Sequence, residues 1–159
     1  MLREDQIWRW LGEVPDPEIP VVSVVDLGIV RGISLEADAV EVEVAPTYSG
    51  CPATEVIEDS IAGKLRDEGV TGVTVRRVLS PPWTTDWISE SGKQKLKAYG
   101  IAPPVGSSDK RELLGKSPIH CPRCNAASTT QVSEFGSTAC KASYKCDDCL
   151  EPFEYFKCI

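Results

Sequence analysis

The chain has 159 residues, is 42% hydrophobic and carries a formal net charge of −7. That length admits one domain, or one domain with a small appendage, and that apolar content excludes wholesale disorder. The acidic surplus argues against a nucleic-acid partner, and no stretch approaches the roughly 18 consecutive apolar residues that a membrane span requires.

Residues 2–12 read as a short helix, with Leu2, Ile7, Trp10 and Leu11 as its apolar stripe and Gly12 at its end. The following PDPEIP, residues 15–20, is proline-punctuated and reads as an extended loop. A β-branched run at 21–25 is broken by Asp26-Leu27-Gly28. Residues 29–35 read as a strand, and the alternating VEVEVA of 40–45 as a half-buried one, with Glu36-Ala37-Asp38 as the hairpin between them. A loop at 46–52 leads into a helix over 52–68, where Ile57, Ile61 and Leu65 recur at helical spacing and Gly69 stands just beyond. Residues 70–79 read as another strand, and SPPWTTDW, residues 80–87, as a rigid loop. The last helix lies within 85–99 and is closed by Gly100. The order is an α+β domain over 1–103, a Pro- and Gly-bearing linker over 104–117 and a cysteine-rich module over 118–159.

The N-terminus mixes both charges and lacks the apolar run of a signal peptide, so the expectation is a soluble, cytoplasmic protein. Thiols stay reduced there, and clustered cysteines read as metal ligands or reactive thiols. Of the seven cysteines, all but Cys51 stand at or after position 121. Cys121-Pro-Arg-Cys124 and Cys146-Asp-Asp-Cys149 have the spacing of two facing knuckles, which give closed tetrahedral coordination and a structural zinc site. Iron is the competing metal. Thr- and Val-bearing segments on either side of Gly136 supply the strands of a zinc ribbon. A module of this size cannot build a sufficient core without the metal. Four thiolates around a divalent ion leave a double negative charge, which Arg123, Lys141 and Lys145 are placed in sequence to offset. Cys140 and Cys158 either pack as small residues, replace a knuckle cysteine or pair with each other. His120 reads as a bystander beside Cys121.

Cys51 precedes Pro52, a residue favoured at the start of a helix, and therefore stands at or near the N-cap of the 52–68 helix. Free backbone N–H groups at that position favour a thiolate, with Thr47, Ser49 and Gly50 as further donors; an inert packed thiol is the alternative. Asp16, Glu18 and Asp26 either cap turns or act on a ligand. Trp83 and Trp87 either pack in the core or line a surface. A dinucleotide fingerprint and an evident base for thiol chemistry are both missing, so a thiol oxidoreductase ranks behind a non-enzymatic role.

Asp16-Pro17-Glu18-Ile19-Pro20, Asp26-Leu27-Gly28, Thr47 and Cys51-Pro52 resemble the SufT-like family of iron–sulfur assembly factors over roughly the first hundred residues. Ser80-Pro-Pro-Trp-Thr-Thr-Asp-Trp87, Phe135-Gly-Ser-Thr-Ala-Cys-Lys141 and Phe153-Glu-Tyr-Phe-Lys-Cys158 extend the resemblance over the whole chain, to the D subunits of bacterial phenylacetyl-CoA epoxidases. The resemblance implies a small SufT-like domain with a mixed sheet and flanking helices, followed by a four-cysteine zinc ribbon. It implies an accessory role in aerobic phenylacetate degradation, either in maturing the iron–sulfur reductase of the epoxidase or as a structural or regulatory subunit of the complex. Cys51 is then the reactive or cluster-handling residue, with Glu18, Asp26 and Thr47 nearby. One cysteine cannot hold a cluster alone, so a transient iron–sulfur cluster requires further ligands, for example from the partner in a homodimer.

Overall fold

A computed structural model describes residues 1–48, 50–105 and 118–157. The chain divides into two compact units, Met1–Trp83 and Thr84–Ile159. The division lies ahead of the expected boundary at 103, because residues 101–102 join the C-terminal sheet. From residue 106 to its end the expected linker lies outside the described residues.

In the first unit, α1 (Glu4–Leu11) buries Ile7 and Leu11 completely. Strands β1 (Val30–Glu36) and β2 (Ala39–Val44) pair antiparallel, and Ala37 turns between them at a φ of 51°. Strand β3 (Gly72–Arg77) pairs parallel with β2, giving a mixed sheet in the order β1-β2-β3. A parallel neighbour requires a crossover, and α2 (Ala53–Asp67) supplies it. Its Ile57, Ile61 and Leu65 are buried, as are Val40, Val42 and Val44 on one face of β2. The opposite face is polar: Arg76 pairs there with Glu41 and Glu43. Gly69 ends the helical segment at a φ of 94°, a left-handed conformation that costs glycine little.

The run at 21–25 forms no strand. Val22 and Val24 are nonetheless buried, beneath a loop joined by a single bridge between Pro15 and Ser23. Trp83 is buried and its indole N–H donates to the Leu27 carbonyl at 2.8 Å, so this tryptophan is a packing residue.

In the second unit, a 3-10 turn at Thr85–Trp87 precedes α3 (Glu90–Tyr99). The Ser89 hydroxyl caps α3 by accepting from the Gly92 amide at 2.9 Å. Strands β4 (Ile101–Ala102), β5 (Thr129–Ser133), β6 (Lys141–Cys146) and β7 (Pro152–Phe156) form a sheet in the order β4-β7-β6-β5. The β5–β6 hairpin matches the expected ribbon strands; β4 and β7 are additions. Pairing Ala142 with Tyr155 and Tyr144 with Phe153 sets these side chains on one face. There Ala102, Ile119, Phe153 and Tyr155 pack with two of the cysteines, Cys121 and Cys146. Tyr144 stacks on Phe153 and meets Tyr155 edge-on. Among the described residues no helix is long and apolar enough to cross a membrane.

Candidate metal centre

Each CxxC pair closes a turn held by its own backbone. The Cys121 amide donates to the Ala126 carbonyl at 2.9 Å, and the Cys146 amide donates to Glu151 at 3.0 Å, five residues ahead in both cases. These bonds bring the Arg123 N–H to 3.4 Å from Cys121 Sγ and the Cys149 N–H to 3.4 Å from Cys146 Sγ. Backbone donors of this kind stabilise sulfur as thiolate. The residue after the second cysteine closes each turn in the left-handed region, Asn125 at a φ of 63° and Leu150 at 64°.

The two turns face each other. The ligand atoms of Cys121, Cys124, Cys146 and Cys149 all lie within 4.8 Å of one another. Across the knuckles, Cys121 and Cys149 sulfurs are 3.8 Å apart and Cys124 and Cys146 sulfurs 3.5 Å apart. Four sulfurs bound tetrahedrally at about 2.3 Å from one zinc ion stand roughly 3.8 Å from each other. The donor set therefore fits a closed four-thiolate metal site, and these residues would hold the ion. Cys121 and Cys146 are fully buried in the apolar cluster, while Cys124 and Cys149 face solvent.

Without a cation, four such sulfurs cannot all ionise. The Cys149 amide, helped by that of Asp148, holds the Cys146 thiol down at about 7 against the opposing effect of burial. Cys149 goes the other way: the Glu151 amide lowers it, but desolvation and the neighbouring sulfurs prevail and push it up to about 12. Cys124 is likewise raised, because the Cys146 sulfur and desolvation outweigh the Ala126 amide. One thiolate forms readily and its neighbours resist a second, so a bound cation is what resolves the repulsion.

Two of the three cations expected to balance this charge are engaged with carboxylates. Arg123 pairs with Glu151 at 3.1 Å, and Lys141, at the far end of β6, faces Glu154. Lys145 is exposed. His120 places Nδ1 3.0 Å from the Asn125 carbonyl, which makes Nδ1 the protonated nitrogen and gives the ring a role in the first knuckle's turn. Cys140 is buried, with its sulfur 3.0 Å from the Thr138 hydroxyl. It stands just before β6, whose length from Lys141 to Cys146, roughly 17 Å at strand spacing, lies between it and the knuckle, so it does not replace a knuckle ligand. Cys158 lies outside the described residues.

In the first unit Cys51 is half-buried at the entry to α2. Pro52 occupies the cap and the helix begins at Ala53, so Cys51 stands one residue further out than a capping position. Its carbonyl accepts from the Thr54 amide at 3.2 Å, and the Thr47 hydroxyl donates to its sulfur at 3.9 Å. Ser49 lies outside the described residues. Asp16 and Asp26 hold turns: Asp16 accepts from the Glu18 and Ile19 amides at 2.9 and 2.8 Å, and Asp26 exchanges bonds of 3.0 Å with Ser23. Glu18 is half-buried in the same loop.

What sequence reasoning missed is the pair of left-handed residues, Asn125 and Leu150. Their position directly after each CxxC was the available signal.

Residues 106–157 match the PaaD zinc beta ribbon domain, and residues 4–79 match the iron–sulfur cluster assembly protein family. Over 154 residues the chain is 48% identical to an Escherichia coli (strain K12) protein provisionally named as the D subunit of 1,2-phenylacetyl-CoA epoxidase; the match covers 97% of this chain and 92% of that one. It is 37% identical over 95 residues to an Fe-S protein maturation auxiliary factor of Porphyromonas gingivalis, covering 58% of this chain and 90% of the relative. A crystal structure of the DUF59 domain of unknown function from Bacillus anthracis is similar at a TM-score of 0.54 and 27% identity, covering 58% of this chain and 90% of that one.

Proposed function

The chain belongs to the family of 1,2-phenylacetyl-CoA epoxidase D subunits, and from that membership we propose that it serves aerobic phenylacetate degradation as a cytoplasmic accessory protein, maturing or inserting the iron–sulfur cluster of the epoxidase reductase. It catalyses no reaction of its own in this reading. Iron or a cluster is its cargo, engaged at Cys51 beside Thr47, with the remaining ligands supplied by a second chain or a small thiol. Zinc holds the four-cysteine site and gives the ribbon a fixed shape, and the ribbon meets the client.

The observation that carries the reading is the placement of a half-buried thiol, contacted by a hydroxyl, at the entry to α2 within the segment matching iron–sulfur assembly proteins. The relatives' names add support: one is a maturation factor, another an epoxidase subunit. The test is to purify the reductase from cells lacking this protein and from cells carrying only Cys51→Ser, and to measure iron and sulfide per reductase. Both should fall. Normal content in both would sink the maturation role. Normal content with lost epoxidase activity in the deletion would favour the second reading, a structural or regulatory subunit, which the relative's designation as a subunit supports.

A further inference from the structure

The two knuckles divide their sulfurs in the same way. In each, the first cysteine, Cys121 or Cys146, is fully buried, and the second, Cys124 or Cys149, faces solvent. The buried pair is packed with Ala102, Ile119, Phe153 and Tyr155, and each of its sulfurs receives a backbone N–H of its own turn. A reagent arriving from water therefore meets Cys124 and Cys149 and is kept from Cys121 and Cys146.

Contacts between sulfurs run from one knuckle to the other. Cys124 meets Cys146 at 3.5 Å and Cys149 meets Cys121 at 3.8 Å, each with the distance and orientation of a thiol hydrogen bond. Each exposed sulfur thus has a buried sulfur of the opposite turn aimed at it. A disulfide sets its sulfurs about 2.05 Å apart, so either bond asks for less than about 2 Å of closure along an existing contact.

We propose that Cys124 and Cys149 are peroxide-reactive sites of the metal centre, and that their oxidation joins the knuckles crosswise, Cys124 to Cys146 and Cys149 to Cys121, with release of the ion. In the first step the Cys124 thiolate attacks hydrogen peroxide. The O–O bond breaks, the sulfur keeps one oxygen as a sulfenic acid, and the other oxygen leaves as hydroxide and takes a proton from solvent. The Cys146 thiolate then attacks the sulfenyl sulfur. The S–S bond forms, the S–O bond breaks, and the departing hydroxide takes a second proton. Two thiolates have lost two electrons, and one peroxide has become two waters. The ion has lost two of its ligands and departs. A second peroxide repeats the sequence at Cys149 and Cys121. In the oxidised chain the crossed bridges take the ion's place as the link between the turns, and a dithiol reductant returns the four thiolates.

The test treats the zinc-loaded full chain with hydrogen peroxide, follows metal release with a chromophoric chelator, and maps the cysteines by mass spectrometry after an acid quench. Trypsin cuts after Arg123, and an aspartate-directed protease cuts between Cys146 and Cys149, so the two cysteines of each motif fall on separate peptides. In early samples a cyclic diketone that captures sulfenic acids should label Cys124 and Cys149 in at least about tenfold excess over Cys121 and Cys146. The linked peptides should then join Cys124 to Cys146 and Cys121 to Cys149, with metal leaving in step with the first linkage. A dithiol with added zinc should restore the bound metal. Bridges within one motif, Cys121 to Cys124 or Cys146 to Cys149, overturn the crossed arrangement. Equal early label on buried and exposed sulfurs, or zinc retained at complete oxidation, overturns the peroxide-reactive sites themselves.

Discussion

Cys124 of the first knuckle and Cys146 of the second bring their sulfurs to 3.5 Å. They come from opposite ends of the ribbon sequence, and one is exposed while the other is fully buried. Cys146 is also part of the apolar cluster with Ala102, Ile119, Phe153 and Tyr155. Removing the metal therefore removes the link between the knuckles and exposes the core to sulfur repulsion at once. Structural zinc in small cysteine-rich modules contributes about 10–16 kcal/mol of apparent binding energy. Chelation of the full chain should abolish amide-exchange protection in β6 and β7 and leave it intact in α2. Cys146→Ser should do the same, whereas Cys140→Ser should keep the metal. Persistent protection of β6 in metal-free protein would refute the structural role.

Metal affinity should rise with pH. Cys146, held at about 7, is ionised at pH 8, while Cys149, pushed up to about 12, and the raised Cys124 must still release protons to bind. At least about two protons therefore leave on binding near pH 8, and one more below pH 7, so affinity steepens downward as acid is added. Competition with a chromophoric chelator between pH 6 and 9 checks this, and a flat profile would contradict it.

Asp16 is buried, and one carboxylate oxygen receives both the Glu18 and Ile19 amides. Asp16→Ala leaves two amides without that acceptor and should cost the first unit about 1–3 kcal/mol. Asp16→Asn keeps an oxygen that can accept both bonds and should cost clearly less. Urea unfolding followed at a probe in the first unit separates them; equal losses in the two variants would remove the turn-holding role.

These cases show where the sequence is readable. Local patterns carried far: the Ile57, Ile61 and Leu65 spacing located α2, the VEVEVA alternation located β2, and the CxxC spacing marked the knuckles because each motif closes its own short ring of bonds. Long-range pairing was less legible. By sequence Ile101 and Ala102 fall at the end of the first domain, yet they pair parallel with Glu154 and Tyr155, a partnership that no local signal announces. Residues 21–25 have strand propensity, but the Asp16 and Asp26 turns on either side hold them in a loop. Lys141 looked like a counterion for the metal from its place in the chain; strand geometry carries it to the end of β6 distant from Cys146.

That lysine gives the last prediction. Lys141 is 3% exposed, and its ammonium lies 3.8 Å from the Glu154 carboxylate. Glu154 is fixed from the other side by the Ser137 amide at 2.7 Å and by the Ser137 hydroxyl. A Cβ at Gly136 would meet the same carboxylate, which would have to move from its place to make room. Deleting one partner of such a pair strands a charge in the interior, whereas replacing the lysine by an apolar residue of similar length does not. Glu154→Ala should therefore destabilise the metal-loaded chain by roughly 2–3 kcal/mol, and Lys141→Met by about 1 kcal/mol or less. The double variant should be more stable than Glu154→Ala alone, because the stranded ammonium is gone. Chemical denaturation of the three metal-loaded variants decides the matter. If Lys141→Met loses as much as Glu154→Ala, the ion pair itself stabilises the fold, and the loss in Glu154→Ala is not the cost of a stranded ammonium.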